Sequence, residues 1–268
     1  MNWTDQHVIV TGGSEGIGAA VAAAFAERGA KVSIIARRED ALRATAERIG
    51  AEWHVADVTD REGLAAAIKE LEARHGDCVA LACCAGLTLP GLFLDVDADE
   101  FGIQMDANYL GSVHAIRAVL PGMVQRGGGR ILLTSSTSAF MGIPGYSSYG
   151  PTKGAVRQLG LCLRYELEPV GVRVSVLYPA DTDTPGLARE NLRKPVETKA
   201  VTGSIAPMPA ERVGAAAVRG LERGRPHIAV DPLTAFLMHW ANGVEDVSRP
   251  FFRRSIARAR RKAAGGGR

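Results

Sequence analysis

Hydrophobic positions along this chain fall into short apolar runs separated by longer segments in which apolar residues recur every three or four positions. Short apolar runs are typical of strands buried on both faces, and the longer periodic segments predict helices. The predicted strands are residues 8–11, 31–36, 53–56, 79–82, 130–135 and 172–178. The predicted helices are residues 19–28, 41–49, 61–74, 101–125 and 147–168. This alternation predicts a doubly wound α/β fold, in which a parallel sheet carries helices on both faces.

The chain length suits one domain followed by an extension. With 268 residues, 46% of them hydrophobic, the chain can bury one sizeable core. We expect residues 1–230 to form this domain, with a substrate lid at about residues 185–208. Residues 231–268 are expected to form a C-terminal helical extension and basic tail. Within it, residues 233–247 predict a helix packed on the body or on a partner subunit.

Charge is distributed unevenly along the chain. The formal net charge is +3, but the last twenty residues hold eight of the 32 basic residues and no acid, leaving 24 basic against 29 acidic residues elsewhere. Over residues 251–262 the arginines lie opposite apolar positions, a pattern that suits an anionic membrane surface at ~1 kcal/mol per basic residue. The alternatives are a disordered solubilising tail and one that binds nucleic acid adventitiously, and no specific nucleic-acid site is predicted.

Nothing in the sequence resembles a targeting or membrane-spanning segment. Polar residues 1–6 lead directly into an apolar strand, and no run approaches the ~18 uninterrupted apolar residues of a span. The four cysteines lack C-x-x-C spacing, and three lie in or beside one apolar run. This favours reduced, buried thiols over a disulfide or metal framework. We therefore expect a cytoplasmic protein without a metal, attached at most peripherally to the cytoplasmic face of a membrane.

A glycine-rich turn follows the first predicted strand and precedes the first predicted helix. Glycines there permit a tight turn and let backbone amides approach a pyrophosphate, which the helix dipole also favours. This arrangement of strand, turn and helix favours a Rossmann-type nucleotide site over an ordinary glycine turn. The residues expected to bind the cofactor here are Gly12, Ser14, Glu15, Gly16, Ile17 and Gly18.

Two arginines follow the second strand, where an NAD-preferring site would carry an acid for the ribose 2′-hydroxyl. Arg37 and Arg38 offer planar forks of donors that suit a phosphate, so the predicted cofactor is NADPH. The alternative is a solvated pair at a strand end. Asp57, after the third strand, is placed to meet the adenine, although an acid at this position is also a common helix cap.

Tyr149 and Lys153 stand four residues apart and therefore share one helix face. A phenol of pKa ~10 is a poor acid-base catalyst at neutral pH, and an adjacent cation lowers that pKa by stabilising the phenolate. Pro151 between them is tolerated only in the first helical turn. The polar run of residues 134–138 follows a strand and could present a hydroxyl to the same carbonyl. Together these groups predict the proton-handling part of an active site.

With these motifs the chain resembles the short-chain dehydrogenase/reductase family over nearly its whole length. The T-G-x-x-x-G-x-G turn, a serine thirteen residues before the tyrosine, Y-x-x-x-K and an asparagine in the middle helix occur in family order. The resemblance implies that Ser136 polarises the carbonyl, Tyr149 donates the proton, Lys153 lowers the pKa of the tyrosine and binds the nicotinamide ribose, and Asn108 holds a relay water. The remaining cofactor-binding residues implied are Val58, Ala85, Gly86, Pro179, Thr182 and Thr184. A homodimer or homotetramer is also implied, paired through the helices of Asn108 and Tyr149.

Two positions depart from the family pattern. Ala180 replaces a glycine of the P-G-x-x-x-T loop, and Cys83 and Cys84 stand where the family usually has two asparagines. Cys83 cannot make amide hydrogen bonds, which puts the adenine-side contacts and strand support in doubt. Catalysis should not depend on it.

Residues 178–198 resemble a narrower group within the family, the 3-ketodihydrosphingosine reductases, above all in the segment D-T-D-T-P-G. This implies reduction of 3-ketosphinganine, a long-chain keto-amine lipid, to sphinganine with NADPH. Apolar residues after Thr184, among them Leu187, could cover an acyl chain or simply pack on the body. Asp181 or Asp183 is expected to pair with the substrate ammonium. The alternatives are a reductase of 3-oxoacyl thioesters or steroids and an NADPH-sensing regulator, which the intact catalytic residues disfavour.

Overall fold

The computed structural model describes residues 2–203, 206–238 and 240, together with residues 254–255, 258–259 and 261–262 of the tail. Its centre is a seven-stranded sheet in the order β3-β2-β1-β4-β5-β6-β9, and every pair of neighbouring strands is parallel. The predicted doubly wound sheet with helices on both faces is confirmed. The strands are β1 His7–Thr11, β2 Lys31–Ala36, β3 Glu52–Val55, β4 Ala80–Cys83, β5 Gly129–Thr134, β6 Val172–Tyr178 and β9 His227–Ala229, and a separate small pair is β7 Thr182–Asp183 with β8 Met208–Pro209.

Helices cover both faces of the large sheet. They are α1 Gly16–Ala26, α2 Glu39–Ile49, α3 Arg61–His75, α4 Ala98–Met105, α5 Gly111–Gln125, α6 Gly150–Leu167, α7 Pro185–Arg193, α8 Val196–Thr202 and α9 Ala210–Glu222. Apolar residues of α3, α5 and α6 form the core on one face, and those of α1, α2 and α9 form the core on the other. Because both faces are buried, β1 and β4 are apolar at almost every position.

The sequence-based boundaries need three corrections. The predicted helix over residues 101–125 is interrupted by a π-helical turn at Asp106–Leu110. The predicted helix over residues 147–168 begins only at Gly150, which leaves Pro151 in the first turn where its missing amide hydrogen costs nothing. Helix α9 and strand β9 were not predicted, although α9 buries a strongly apolar face against α1.

The predicted C-terminal extension is only partly described. Residues 232–238 are helical, Leu237 is buried and Met238 packs against the core, as expected for a helix docked on the body. Leu233 and Phe236 are exposed. Half of the predicted membrane-binding segment, residues 251–262, lies outside the described residues.

Two further features of the described chain bear on the expectations. None of its helices has the length and apolarity needed to cross a bilayer. All four cysteines are free: Cys78 and Cys83 are buried, Cys84 is half-buried, and Cys162 is exposed rather than buried as expected. Among the described residues no cluster of side chains has the composition of a metal site.

Candidate active site

The loops that follow the carboxyl ends of the strands meet along one edge of the sheet. In a doubly wound sheet, ligands bind at this edge where the winding reverses, here between β1 and β4. Every predicted catalytic and cofactor residue lies on this side or on the helices above it. The sheet therefore brings together residues that are far apart in the chain, from Gly12 to Thr184.

The glycine turn between β1 and α1 can be built only from glycine at its key positions. Gly12 has φ +72°, and a Cβ there would lie 2.6 Å from the backbone of Ala85. Gly16 has φ +58°, and a Cβ there would lie 3.1 Å from Thr184 Cγ2. Glu15 precedes α1 but its side chain makes no capping hydrogen bond, so the first amides of the helix remain available to an anion. This cradle fits a dinucleotide pyrophosphate.

Two other residues of the turn make contacts with neighbouring elements. Ser14 is buried and its carbonyl accepts a hydrogen bond of 2.9 Å from Thr45 Oγ1. Ile17 packs against the core formed by α1, α2 and α9. These contacts hold the turn in place.

Both arginines after β2 lie beside acids. Arg38 is paired with Glu15 at 2.6 Å, and Arg37 lies 3.5 Å from Asp57 Oδ2. Burial tends to raise the pKa of both carboxyls, but hydrogen bonds and the arginine charges outweigh it and leave both pKa values lowered. The two guanidinium groups are more than half exposed, so they can approach a phosphate from solvent. Asp57 also accepts a hydrogen bond from the backbone of Thr59.

Tyr149 lies at the N-terminus of α6, and its phenol lies near the hydroxyls of Ser136 and Thr88, whose hydrogen-bonding influence favours a lower pKa of the phenol. Ser136 follows β5 in extended conformation, and its hydroxyl accepts a 3.2 Å hydrogen bond from the backbone of Ser138. The serine and tyrosine predicted from sequence are therefore brought together. Thr88 was missed, because a single threonine in the loop after β4 has no distinguishing sequence signal.

Lys153 lies one turn further along α6 and is buried. Its Nζ donates a 3.0 Å hydrogen bond to the carbonyl of Thr134 and lies 5.7 Å from the centroid of the Tyr149 ring. Burial lowers the pKa of Lys153 to about 8. Burial, followed by the charge of Glu190, raises the pKa of Tyr149 above its usual value. The expected lowering of the tyrosine pKa is thus wrong for this structure, because loss of water around the phenol dominates.

Asn108 lies in the π-helical turn between α4 and α5, a feature frequent at functional sites. Its amide exchanges hydrogen bonds of 2.8 and 3.0 Å with the backbone of Leu87 and donates one of 2.9 Å to Thr152 Oγ1. The side chain therefore ties the loop after β4 to α6. A Cβ on Gly86 would lie 2.8 Å from Asn108 Oδ1 and 3.4 Å from Lys153 Nζ, so Gly86 allows the backbone to pass between the two groups.

Cysteine replaces asparagine after β4 without breaking the strand. Cys83 ends β4 with its thiol directed at the carbonyl of Ser112, and burial raises the pKa of that thiol. Cys84 accepts a hydrogen bond from Thr134 Oγ1, and burial raises its pKa to about 11. Both are therefore neutral thiols at physiological pH. Val58, on the neighbouring loop, is buried against Gly111.

The loop after β6 reaches back toward the glycine turn. The carbonyl of Pro179 accepts from the backbone of Thr137, and Thr182 is buried with its hydroxyl donating to the carbonyl of Ala180. The hydroxyl of Thr184 caps α7 at Leu187 and its methyl faces Gly16. Leu187 itself is buried. This loop thereby fixes the start of the predicted lid against the cofactor cradle.

The two aspartates predicted to face the substrate differ in their surroundings. Asp183 is exposed on β7. Asp181 pairs with Lys194, whose Nζ lies 3.2 Å from Asp181 Oδ2 and 3.0 Å from Glu190 Oε1. Glu190 and Lys194 received no role from the sequence, although their spacing of four residues is that of a helical ion pair. The hydroxyl of Tyr146 donates to Glu190.

An apolar cleft of about 760 Å³ opens beside this group of side chains. It is bordered by Phe93 on one side and by Phe140, Ile143 and Tyr146 on the other. Such a cleft suits the apolar part of a substrate whose carbonyl reaches Tyr149. Apolar residues of the lid were expected to cover an acyl chain. Leu192 of the lid instead projects into solvent.

Comparison with known proteins identifies relatives over most of the chain. A family model described as short chain dehydrogenase matches residues 6–195. A 3-ketodihydrosphingosine reductase from Dictyostelium discoideum is 35% identical over 270 aligned residues, covering 92% of this chain and 81% of the relative. A 3-dehydrosphinganine reductase from Danio rerio is 37% identical over 229 residues, covering 81% of this chain and 69% of the relative.

Solved structures agree on the fold. A short-chain dehydrogenase from Streptomyces avermitilis is 26% identical with a TM-score of 0.77, covering 96% of this chain and 98% of the other. A short-chain dehydrogenase/reductase from Burkholderia phymatum, solved in complex with NAD, has a TM-score of 0.81 over 91% of this chain and 95% of the other. Its identity is 22%, so this likeness shows the fold alone.

Proposed function

This chain belongs to the short-chain dehydrogenase family, and on that basis we propose that it reduces 3-ketosphinganine to sphinganine with NADPH. Family membership makes it an oxidoreductase that acts on a ketone and alcohol pair with a nicotinamide cofactor, as predicted from its motifs. The observation that carries the narrower proposal is 35–37% identity, over most of the chain, to relatives named as reductases of this ketone.

The position of the Tyr149 phenol beside Ser136 supports its proposed role as proton donor. When bound, the nicotinamide cofactor supplies the hydride that adds to the carbonyl carbon. Ser136 donates a hydrogen bond to the carbonyl oxygen, and Tyr149 passes its proton to that oxygen as negative charge develops there. A phenol with a raised pKa keeps its proton at neutral pH, so the donor is present in its protonated form. The alkoxide produced is a stronger base than the phenolate left behind.

Lys153 acts on the phenolate rather than on the resting phenol in this proposal. With a pKa of about 8, its amine is mostly charged at pH 7, and it lies on the same helix face as the tyrosine. Thr134 uses one of the three N–H donors of the ammonium, which leaves two for ribose hydroxyls and a relay water. Asn108 contributes by holding Leu87 and Thr152, which border the lysine.

The glycine cradle and the two arginines support NADPH. Gly12 and Gly16 leave room that a Cβ would fill at the N-terminus of α1, where a pyrophosphate is favoured. Arg37 and Arg38 follow β2 and can form bidentate hydrogen bonds to a 2′-phosphate. Arg37→Ala should lower kcat/KM for NADPH about 10- to 100-fold and leave NADH use within a few-fold. A preference of the unmodified enzyme for NADH would overturn the cofactor proposal.

The substrate proposal is tested by NADPH oxidation with 3-ketosphinganine, an acetoacetyl thioester and a ketosteroid in parallel. We expect kcat/KM for 3-ketosphinganine to exceed the other two by at least tenfold, with Tyr149→Phe as the inactive control. Preference for the thioester or the steroid would assign the chain to another lipophilic ketone. Binding of NADPH without turnover of any of the three would instead indicate a sensor.

The basic tail and the assembly complete the proposal. We propose that residues 251–262 attach the enzyme to anionic membrane, where its long-chain keto-amine substrate partitions. Flotation with anionic liposomes should carry the full chain and leave a version ending at Ser248 in solution. Equal partitioning of the two versions would refute membrane attachment through this segment. We also propose a homodimer or homotetramer, measured by sedimentation equilibrium.

A further inference from the structure

Three charged side chains converge beside the catalytic tyrosine. Lys194 Nζ contacts Asp181 at 3.2 Å and Glu190 at 3.0 Å, and its side chain is only 2% exposed. Tyr146 donates its hydroxyl to the same Glu190. The carboxylate is thus held by two donors and has further lone pairs free, because a carboxylate accepts about four hydrogen bonds.

This charged group is adjacent to the place where the substrate carbonyl must lie. The ring of Tyr146 packs edge-on against the ring of Tyr149, with centroids 5.4 Å apart. The charges of Glu190 and Asp181 both raise the pKa of Tyr149, which requires that they lie within electrostatic reach of its hydroxyl. Because Tyr146 contacts both the Tyr149 ring and the Glu190 carboxylate, a cationic group next to a ketone bound at Tyr149 would face Glu190.

The group also carries an excess negative charge. Two carboxylates face one ammonium, and in the described part of the chain no other cation pairs with Asp181 or Glu190. The other basic residues of α7 are committed elsewhere, since Arg189 pairs with Glu15 and Arg193 lies 2.8 Å from Glu100. A buried carboxylate without full compensation favours binding of a further cation.

An independent observation indicates that a polar ligand group enters here. The hydroxyl of Ser138 is buried and has no hydrogen-bond partner among the described residues. Ser138 lines the same apolar cleft that Tyr146 borders. A buried hydroxyl without a partner costs about 1–3 kcal/mol, so the unused donor and acceptor suit a substrate that brings a polar group into this cleft.

We propose that Glu190, supported by Asp181, binds the ammonium of an α-amino ketone substrate, with Lys194 and Tyr146 holding the carboxylate in position. This inference rests on the proposed amino-ketone reductase function and adds the residue that selects for the amine. Lys194 stays in place, and the substrate cation compensates the excess charge. Asp183, the other aspartate expected to bind the amine, is exposed and takes no part.

A specificity ratio tests this assignment. For each enzyme form, kcat/KM is measured with 3-ketosphinganine and with the same long-chain hydroxyketone lacking the amine. The unmodified enzyme should prefer the amino ketone, and Glu190→Gln should lower that preference about tenfold. Glu100→Gln, which removes another carboxylate that contacts α7, should leave the ratio unchanged. Asp181→Asn should lower the ratio less than Glu190→Gln, because Asp181 is more exposed.

The outcomes separate this inference from the proposed function. Equal losses for both ketones in Glu190→Gln would show that the residue only anchors the lid, and no loss for either would also overturn the inference. If the unmodified enzyme reduces both ketones equally, amine recognition is refuted but the proposed reductase function stands. If the unmodified enzyme reduces neither ketone, both the proposed function and this inference are refuted. The alkaline limb of kcat should also move to lower pH in Glu190→Gln, because the carboxylate raises the pKa of Tyr149.

Discussion

Replacing Lys194 by methionine tests whether its ion pairs anchor the lid. The substitution keeps most of the side-chain volume but removes an ammonium that lies 3.0 Å from Glu190 and 3.2 Å from Asp181. Breaking a buried ion pair by removing one partner costs about 3–5 kcal/mol. Asp181 is 32% exposed and recovers some hydration, so we expect the lower end of that range.

For a domain of this size, a loss of ~3 kcal/mol lowers Tm by roughly 6–12 °C in thermal unfolding. The matched control is Lys199→Met on α8, an exposed lysine that should change stability by no more than ~0.5 kcal/mol. The double variant Lys194→Met with Glu190→Gln should be more stable than the sum of the single effects by at least ~1 kcal/mol, because it removes the uncompensated carboxylate. Strict additivity, or a Tm equal to that of the control, would refute the reasoning.

Three further predictions concern the catalytic pair and the glycine turn. Tyr149→Phe should lower kcat at least ~100-fold with little change in NADPH affinity by fluorescence titration, and near-normal turnover would exclude the phenol as proton donor. Lys153→Met should stabilise the cofactor-free protein at pH 7 by up to ~3 kcal/mol, since the buried ammonium has a pKa of about 8 against ~10.4 when unfolded. Below pH 8 the charged Lys153 carries the full cost of burial. The stability gained by Lys153→Met should therefore shrink as pH rises from 8 to ~10.4. A stability difference that stays constant over this range would contradict the prediction. Gly12→Ala should weaken NADPH binding by at least tenfold, whereas Gly50→Ala, also at positive φ but with no atom within 4 Å, should lower Tm without changing NADPH affinity.

Most of the fold could be predicted from the sequence because the signals are local. A strand buried on both faces requires consecutive apolar residues, so β2 and β6 were predicted at the bounds that the structure has. Helix α9 was missed, since it follows a segment with two prolines and its partner α1 lies almost 200 residues earlier. The π-helical turn at Asp106–Leu110 was also missed, because one extra residue per turn leaves the hydrophobic pattern nearly unchanged.

The catalytic pair was predictable for the same reason. Tyr149 and Lys153 lie on one helix, and the α-helical period alone places them on one face. The direction of the tyrosine pKa was not predictable, because burial of the phenol and the charge of Glu190, which both raise this pKa, depend on segments distant in the sequence. The expectation of a lowered pKa considered only the lysine.

By itself, the sequence determined the alternation of strands and helices, the glycine turn, the arginines after β2 and the spacing of tyrosine and lysine. These features follow from backbone geometry over a few residues. Only the tertiary structure decided that Asp181 and Glu190 meet the buried Lys194 beside Tyr146, and that Asp183 remains in solvent. The physical reason is that burial and the strength of a charge pair depend on which segments exclude water together, which no local pattern encodes.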